Sequence, residues 1–319
     1  MIPSLSQLAN HLTSRVRGQE FALQRVGHAV CRAELGFSKP DKPKSTFLFL
    51  GPTGVGKTET ALTLADFLFS DRKALHRFDM AEYQSKNALA RFLGESKASQ
   101  GLLGDAIDAS PNGSIFLFDE IEKADRDFLT VFLAIMDAAR VTMTNGSTKD
   151  LSKSYLIFTS NLGCARAIQM DEVPYSTMER VVTDEAKHFF RPEAFARFKH
   201  PIVFQKLSFQ TLAEICRSYL ESEIAHVQTA IARRIGVPIQ IAYDRSALSF
   251  LVDKGYSSLL GARPMQNAVE HHVGVVLSQW VLAQGEHRSD APVQLHLSAP
   301  HKNFQVDEQP ASMTPAAAA

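Results

Sequence analysis

Cysteine is scarce in this chain: Cys31, Cys164 and Cys216 are the only three among 319 residues, and they stand far apart without metal-ligand spacing. Such usage excludes a disulfide scaffold and predicts reduced thiols. Net charge is missing as well. Lys plus Arg and Asp plus Glu both total 34, so no global basic field favours nucleic acid or an anionic membrane. No apolar run approaches the length of a membrane span, and the start from Met1 to Ser6 lacks a basic segment followed by an apolar core. The expectation is therefore a cytoplasmic protein with no membrane partner. The pair His271 and His272 has no second pair of ligands near it in sequence, which argues against a metal site there. Phe47, Phe49, Phe116, Phe118 and Phe158 follow strand positions and read as core, not as a platform for stacking bases.

What is present is concentrated in a few segments. Ser45 to Leu50 is a buried-strand pattern, and Gly51, Pro52, Thr53, Gly54, Val55, Gly56, Lys57 and Thr58 follow it at once. The glycines let the backbone curl with its N–H groups inward around phosphates, Lys57 neutralises the outer phosphates, and Thr58 offers a hydroxyl to magnesium. The helix predicted from Glu59 to Phe69 aims its positive end at the same anion. A second apolar run, Ser114 to Phe118, ends in Asp119 and Glu120. Two acids at the carboxyl end of a buried strand, some sixty residues after a phosphate loop, suit the hydrolytic half of an ATPase. Asp119 is expected to hold the magnesium ion, and Glu120 to orient and deprotonate the attacking water.

Strands and helices alternate through the first two thirds. Leu23 to Glu34 has helical spacing, Leu75 to Phe78 reads as a strand ending in Asp79, and Tyr155 to Phe158 and Pro201 to Phe204 read as further strands. Such alternation predicts an α/β fold, a parallel sheet flanked by helices with ligands at the strands' carboxyl ends. After Leu207 come a long amphipathic helix from Ser208 to Gly236, the short strand Ile239 to Ile241, helices over 245–254 and 264–283, and the alternating strand Val293 to Leu297. The chain thus divides into an N-terminal extension (1–10), a large nucleotide-binding domain (11–205), a small α/β C-terminal domain (206–298) and a tail (299–319). The tail is rich in Pro, Ala, Ser and Gln and is expected to be disordered.

The segments Gly51 to Thr58, Asp79 to Tyr83, Leu117 to Ala124, Thr159 to Gly163, Phe190 to Glu193 and Gly261 to Pro264 together resemble the signature motifs of the Clp/ClpB AAA+ ATPases, in order and near their spacing. The similarity runs from about Leu12 to Leu297 and is greatest to the second ATPase module of ClpA and ClpB, standing alone. The resemblance implies a P-loop AAA+ module with a C-terminal lid domain, ATP and Mg2+ as ligands, and a homo-oligomeric, hexameric ring acting on a protein substrate or complex. It implies that Asn161 is the polar sensor that holds the attacking water, and that Arg263 is a lid-domain sensor reaching the phosphates. It puts the arginine finger, which acts on a neighbour's ATP, at Arg197, with Arg191 as its rival. It also places Val16 beside the adenine.

Two departures bear on function. Between Gly94 and Gly104 the family carries an aromatic loop that grips polypeptide in the central pore, whereas residues 95–103 here contain no aromatic. Nor does Leu162 to Lys187 hold the tripeptide by which protease-linked members dock their peptidase ring, so no peptidase partner is expected. A polar loop of this kind predicts remodelling without aromatic threading, with Leu102 and Leu103 packed inward at the start of the next helix. Two alternatives stand beside it: a helper ATPase linked to nucleic acid, and a switch or scaffold timed by ATP.

Overall fold

The computed structural model describes residues 7–309 apart from 97, 171–172, 258–259 and 284–292. They form two compact units that divide between Lys206 and Leu207.

The first unit opens with helices α1 (Leu8–Arg15) and α2 (Glu20–Glu34). Leu8 is fully buried, so the folded unit begins inside the stretch expected to be an extension. Strand β1 (Ser45–Leu50) is buried at all six positions, the mark of a strand covered on both faces. Helix α3 (Lys57–Phe69), β2 (Leu75–Asp79), α4 (Lys86–Leu93), α5 (Gly101–Asp108), β3 (Ile115–Asp119) and α6 (Arg126–Ala138) follow. A short hairpin of β4 (Arg140–Thr142) and β5 (Thr148–Asp150) comes next, then β6 (Tyr155–Ser160), α7 (Cys164–Gln169), α8 (Tyr175–Phe190), α9 (Pro192–Phe195) and β7 (His200–Val203). The sheet runs β2-β3-β6-β1-β7 with every pair parallel, as the alternation predicts. The hairpin was not foreseen: strands of three residues are too short to show alternation, although Asn145-Gly146 is a turn signal.

Aromatic packing fixes the carboxyl edge of this sheet. Phe118, the residue before the two acids, lies 4.5 Å from Phe132 and 4.9 Å from Phe158, ring centre to ring centre. Burial of each ring stabilises the fold by about 1.5–3 kcal/mol. The ends of β3 and β6 therefore cannot drift apart without breaking this cluster.

The second unit contains α10 (Phe209–Ile235), β8 (Ile239–Tyr243), α11 (Arg245–Gly255), α12 (Met265–Ala283), β9 (Val293–Ser298) and β10 (Gln305–Gln309). Ser208 caps α10, its hydroxyl accepting from the Thr211 N–H at 3.1 Å, and Gly236 ends it at a φ of 79°. Its three-stranded sheet has the order β10-β9-β8. Strand β10 corrects the expected disorder of the tail over 305–309, and residues 310–319 lie outside the described part. The segment has little apolar patterning of its own. It is ordered by antiparallel backbone pairing on β9, from Gln305 opposite Ser298 to Gln309 opposite Gln294, and by the burial of Phe304.

Candidate functional site

The glycine-rich loop leaves β1 and enters α3 through conformations that a side chain would obstruct. A Cβ at Gly51, whose φ is 149°, would lie 2.4 Å from the backbone oxygen of Phe204, the residue after β7. A Cβ at Gly56, with φ 106°, would lie 2.8 Å from Val16 Cγ1. The loop is thus closed in between the end of the sheet and the segment Val16 to Gln19. Val16, predicted beside the nucleotide base, is buried against the loop. Gln19 ties that segment down, donating to the Gln205 carbonyl at 2.8 Å while accepting from the Gln205 N–H at 3.0 Å.

Lys57 is buried at the head of α3, and its ammonium donates to the carbonyls of Gly51 and Pro52, the latter at 2.9 Å, and to Asn161 Oδ1 at 3.0 Å. Burial pulls its pKa below the ordinary lysine value, against the opposing pull of Cys164, Asp119, Glu122 and Glu120. Thr58 sits next to it in the first turn of α3, half-buried. Pro52, Thr53, Gly54 and Val55 complete the loop between strand and helix.

Asp119 is buried at the end of β3 and held from two sides. The Thr159 hydroxyl donates to its Oδ1, and Arg77 of β2 pairs with its Oδ2 at 2.6 Å. Thr159 Oγ1 in turn accepts from the Glu120 N–H at 3.0 Å, so one hydroxyl locks the ends of β3 and β6 together. Glu120 lies in the left-handed region, φ 57° and ψ 51°, which a residue with a side chain occupies at a cost. The turn aims its carboxylate at Asn161, whose Nδ2 donates to Glu120 Oε1 at 3.2 Å. Asn161 therefore bridges the lysine of the phosphate loop and the second acid, bringing together Lys57, Asp119, Glu120 and Asn161 from three separate strand ends.

The two arginine candidates are held elsewhere. Arg197 Nε donates to Asp137 Oδ2 at 2.6 Å and its Nη1 to the Glu193 carbonyl at 2.7 Å. Arg191 is exposed, with φ 62°, immediately before α9. Arg263 belongs to the second unit, exposed in the turn two residues ahead of α12. Arg77, Thr159, Glu122 and Cys164 join this cluster without having been legible as site residues in the sequence. Their positions depend on which strands lie side by side, although Glu122 falls within the motif Leu117 to Ala124 and Thr159 within Thr159 to Gly163. Burial pushes the Cys164 thiol up to about 11, against the pull of nearby Lys57.

The glycine-lined loop, the buried lysine, the Thr58 hydroxyl and the Asp119 carboxylate form a donor set that fits a nucleotide triphosphate with magnesium. Comparison with known proteins points the same way. Residues 42–200 match the family model described as AAA domain (Cdc48 subfamily), and residues 207–295 match that of the C-terminal, D2-small domain of ClpB protein. Similar proteins include the chaperone protein ClpB of Prochlorococcus marinus, 33% identical over 90% of this chain and 33% of its own length. Chaperone protein ClpB 1 of a Nostoc species is 36% identical over 87% of this chain and 32% of its own length. The chloroplastic ClpB2 of Oryza sativa subsp. japonica is 37% identical over 87% of this chain and 29% of its own length. The chain spans about a third of the length of these relatives.

Proposed function

Because the chain belongs to the ClpB-like family of AAA+ ATPases, we propose that it hydrolyses ATP within a hexameric ring and uses the turnover to remodel a protein substrate or complex. The observation that carries this reading is the Lys57–Asn161–Glu120 connection. Lys57, released from its own loop's carbonyls, binds the outer phosphates, for which its charge is well placed. Asn161 and Glu120 together grip the attacking water: the amide orients it, and the Glu120 carboxylate takes its proton as the bond from water oxygen to the terminal phosphorus forms and the bond from that phosphorus to the bridging oxygen breaks, releasing ADP and phosphate. Thr58 and Asp119 are the oxygen donors that would hold a magnesium ion, which supplies neutralising charge at the phosphates. Arg197, tied to Asp137 within its own chain, is the group proposed to act on a neighbour's ATP, with Arg191 as the alternative.

The loop after α4 supports remodelling without threading. A Cβ at Gly94 would lie 2.3 Å from the Ser99 oxygen and one at Gly101 2.4 Å from the Gly94 nitrogen, so the loop folds tightly back on itself. Leu103 packs inward as expected, but Leu102 does not: it is 43% exposed on the outer side of α5. An isolated leucine at the foot of a serine-rich turn offers little grip on an arbitrary polypeptide. The same feature suits the second reading, a switch whose ATP-bound ring recruits a partner.

Two measurements test this. Glu120→Gln should retain nucleotide binding while turnover falls by about a hundredfold or more, the usual contribution of a positioned base. Turnover at the parental rate would refute the assignment. Mixing Arg197→Ala with Glu120→Gln subunits should restore activity at interfaces that combine an intact finger with an intact base. Full activity in a strictly monomeric preparation would refute the ring.

A further inference from the structure

The sheet ladder stops at Ser160, whose carbonyl accepts the last rung from the Gly51 N–H at 3.2 Å. The next N–H, that of Asn161, has no strand to donate to. Its partner is instead a side chain from another part of the fold: Glu122, in the short turn Ile121–Lys123 after β3, accepts it at 3.0 Å through Oε1. The other carboxylate oxygen, Oε2, is buried without a hydrogen-bond partner. A carboxylate kept half-satisfied inside a protein calls for a reason, because apolar packing there would cost less. Beyond this carboxylate, the Asn161 backbone is bonded through its carbonyl, which accepts from the Cys164 N–H at 3.2 Å. The two ends of its side chain face Lys57 and Glu120.

We propose that Glu122 is a positioning residue for hydrolysis: by holding the Asn161 N–H, it sets the carboxamide between the phosphate-loop lysine and the water-activating acid. The proposal rests on the reading of this site as an ATPase centre and adds a residue to it. Glu122 touches neither phosphate nor water in this scheme. It acts through the backbone of Asn161, replacing the sheet hydrogen bond that the end of β6 lacks. Its charge acts on Lys57 and Cys164, so Glu122 also adds to the acids facing the lysine. Geometry and charge are separable: glutamine keeps the size and an acceptor oxygen for the Asn161 N–H, while it loses the charge and turns the unpartnered second oxygen into an NH2 donor.

The experiment compares Glu122→Ala and Glu122→Gln in the full chain. Three quantities are read: kcat for ATP, the Kd of a fluorescent ATP analogue, and amide hydrogen exchange at Asn161 without nucleotide. In Glu122→Ala, kcat should fall about 10- to 100-fold, the effect of a small misplacement at a reacting centre, with Kd within about threefold of the parent. Exchange at Asn161 should accelerate in the same variant. Glu122→Gln should keep Asn161 protected and recover most of the lost kcat. Parental kcat or unchanged exchange in Glu122→Ala overturns the proposal. So does a Glu122→Gln variant as slow as alanine with Asn161 still protected, which would assign the role to charge. If Glu122→Ala does not fold, a drop beyond about tenfold in folded Glu122→Gln is by itself refuting. A parent chain that does not turn over ATP would sink the function reading instead, while the exchange measurement would still decide the positioning geometry.

Discussion

Glu120 carries both a backbone strain and a catalytic assignment, and the two can be separated by comparing Glu120→Gly with Glu120→Ala. Both variants lose the carboxylate, its bond to Asn161 at 3.2 Å and the charge beside Asp119 and Glu122, so those effects cancel between them. What differs is the backbone. At φ 57° and ψ 51°, alanine bears the steric penalty of a left-handed residue, about 1–2 kcal/mol, and glycine does not. Glycine loses more chain entropy on folding, about 0.5–1 kcal/mol, which offsets part of the gain. The remainder is about 0–1.5 kcal/mol in favour of glycine, centred at about 0.75 kcal/mol. In a unit of this size each kcal/mol moves Tm by about 2–4 °C, so the central value puts Glu120→Gly about 1.5–3 °C above Glu120→Ala in nucleotide-free thermal scans. Both should be inactive in steady-state ATPase assays. A glycine variant melting about 1–4 °C below the alanine variant, the entropy cost acting alone, would show that the turn carries no strain.

The phosphate loop should be intolerant for a different reason. In Gly51→Ala the new methyl would sit 2.4 Å from a backbone oxygen, so the loop or the end of β7 must move. A loss of about 3 kcal/mol or more is expected, seen as a Tm drop of roughly 6–12 °C, and a Tm within about 1 °C of the parent would contradict the packing. Cys164, with its pKa pushed up to about 11, should be a slow thiol. About one molecule in a thousand is ionised at pH 8, so iodoacetamide labelling of the Cys164 peptide, followed by mass spectrometry, should rise about tenfold per pH unit between pH 7 and 9.5. A rate already saturated at pH 8 would refute the burial argument.

The phosphate loop, the alternation of strands and helices and the acids at the end of β3 were legible in the sequence because each is written in consecutive residues. Glycines mark where the backbone must turn, unbroken apolar runs mark strands covered on both faces, and Asp119 and Glu120 follow such a run directly. Segments without a local period were not legible. Strand β10 exists because β9 offers it a hydrogen-bonding edge, and β4 and β5 are three-residue strands held by their turn. The finer wiring of the site was equally hidden. Thr159 meets Asp119 across 40 positions of chain, and Glu122 meets Asn161 across 39, only because β3 and β6 are neighbours in the sheet. Chain order sets which residues are available at each strand end. Strand order, decided by burial of the aromatic cluster around Phe118, sets which of those ends share hydrogen bonds, and a hydrogen bond acts over about 3 Å of space whatever the separation along the chain.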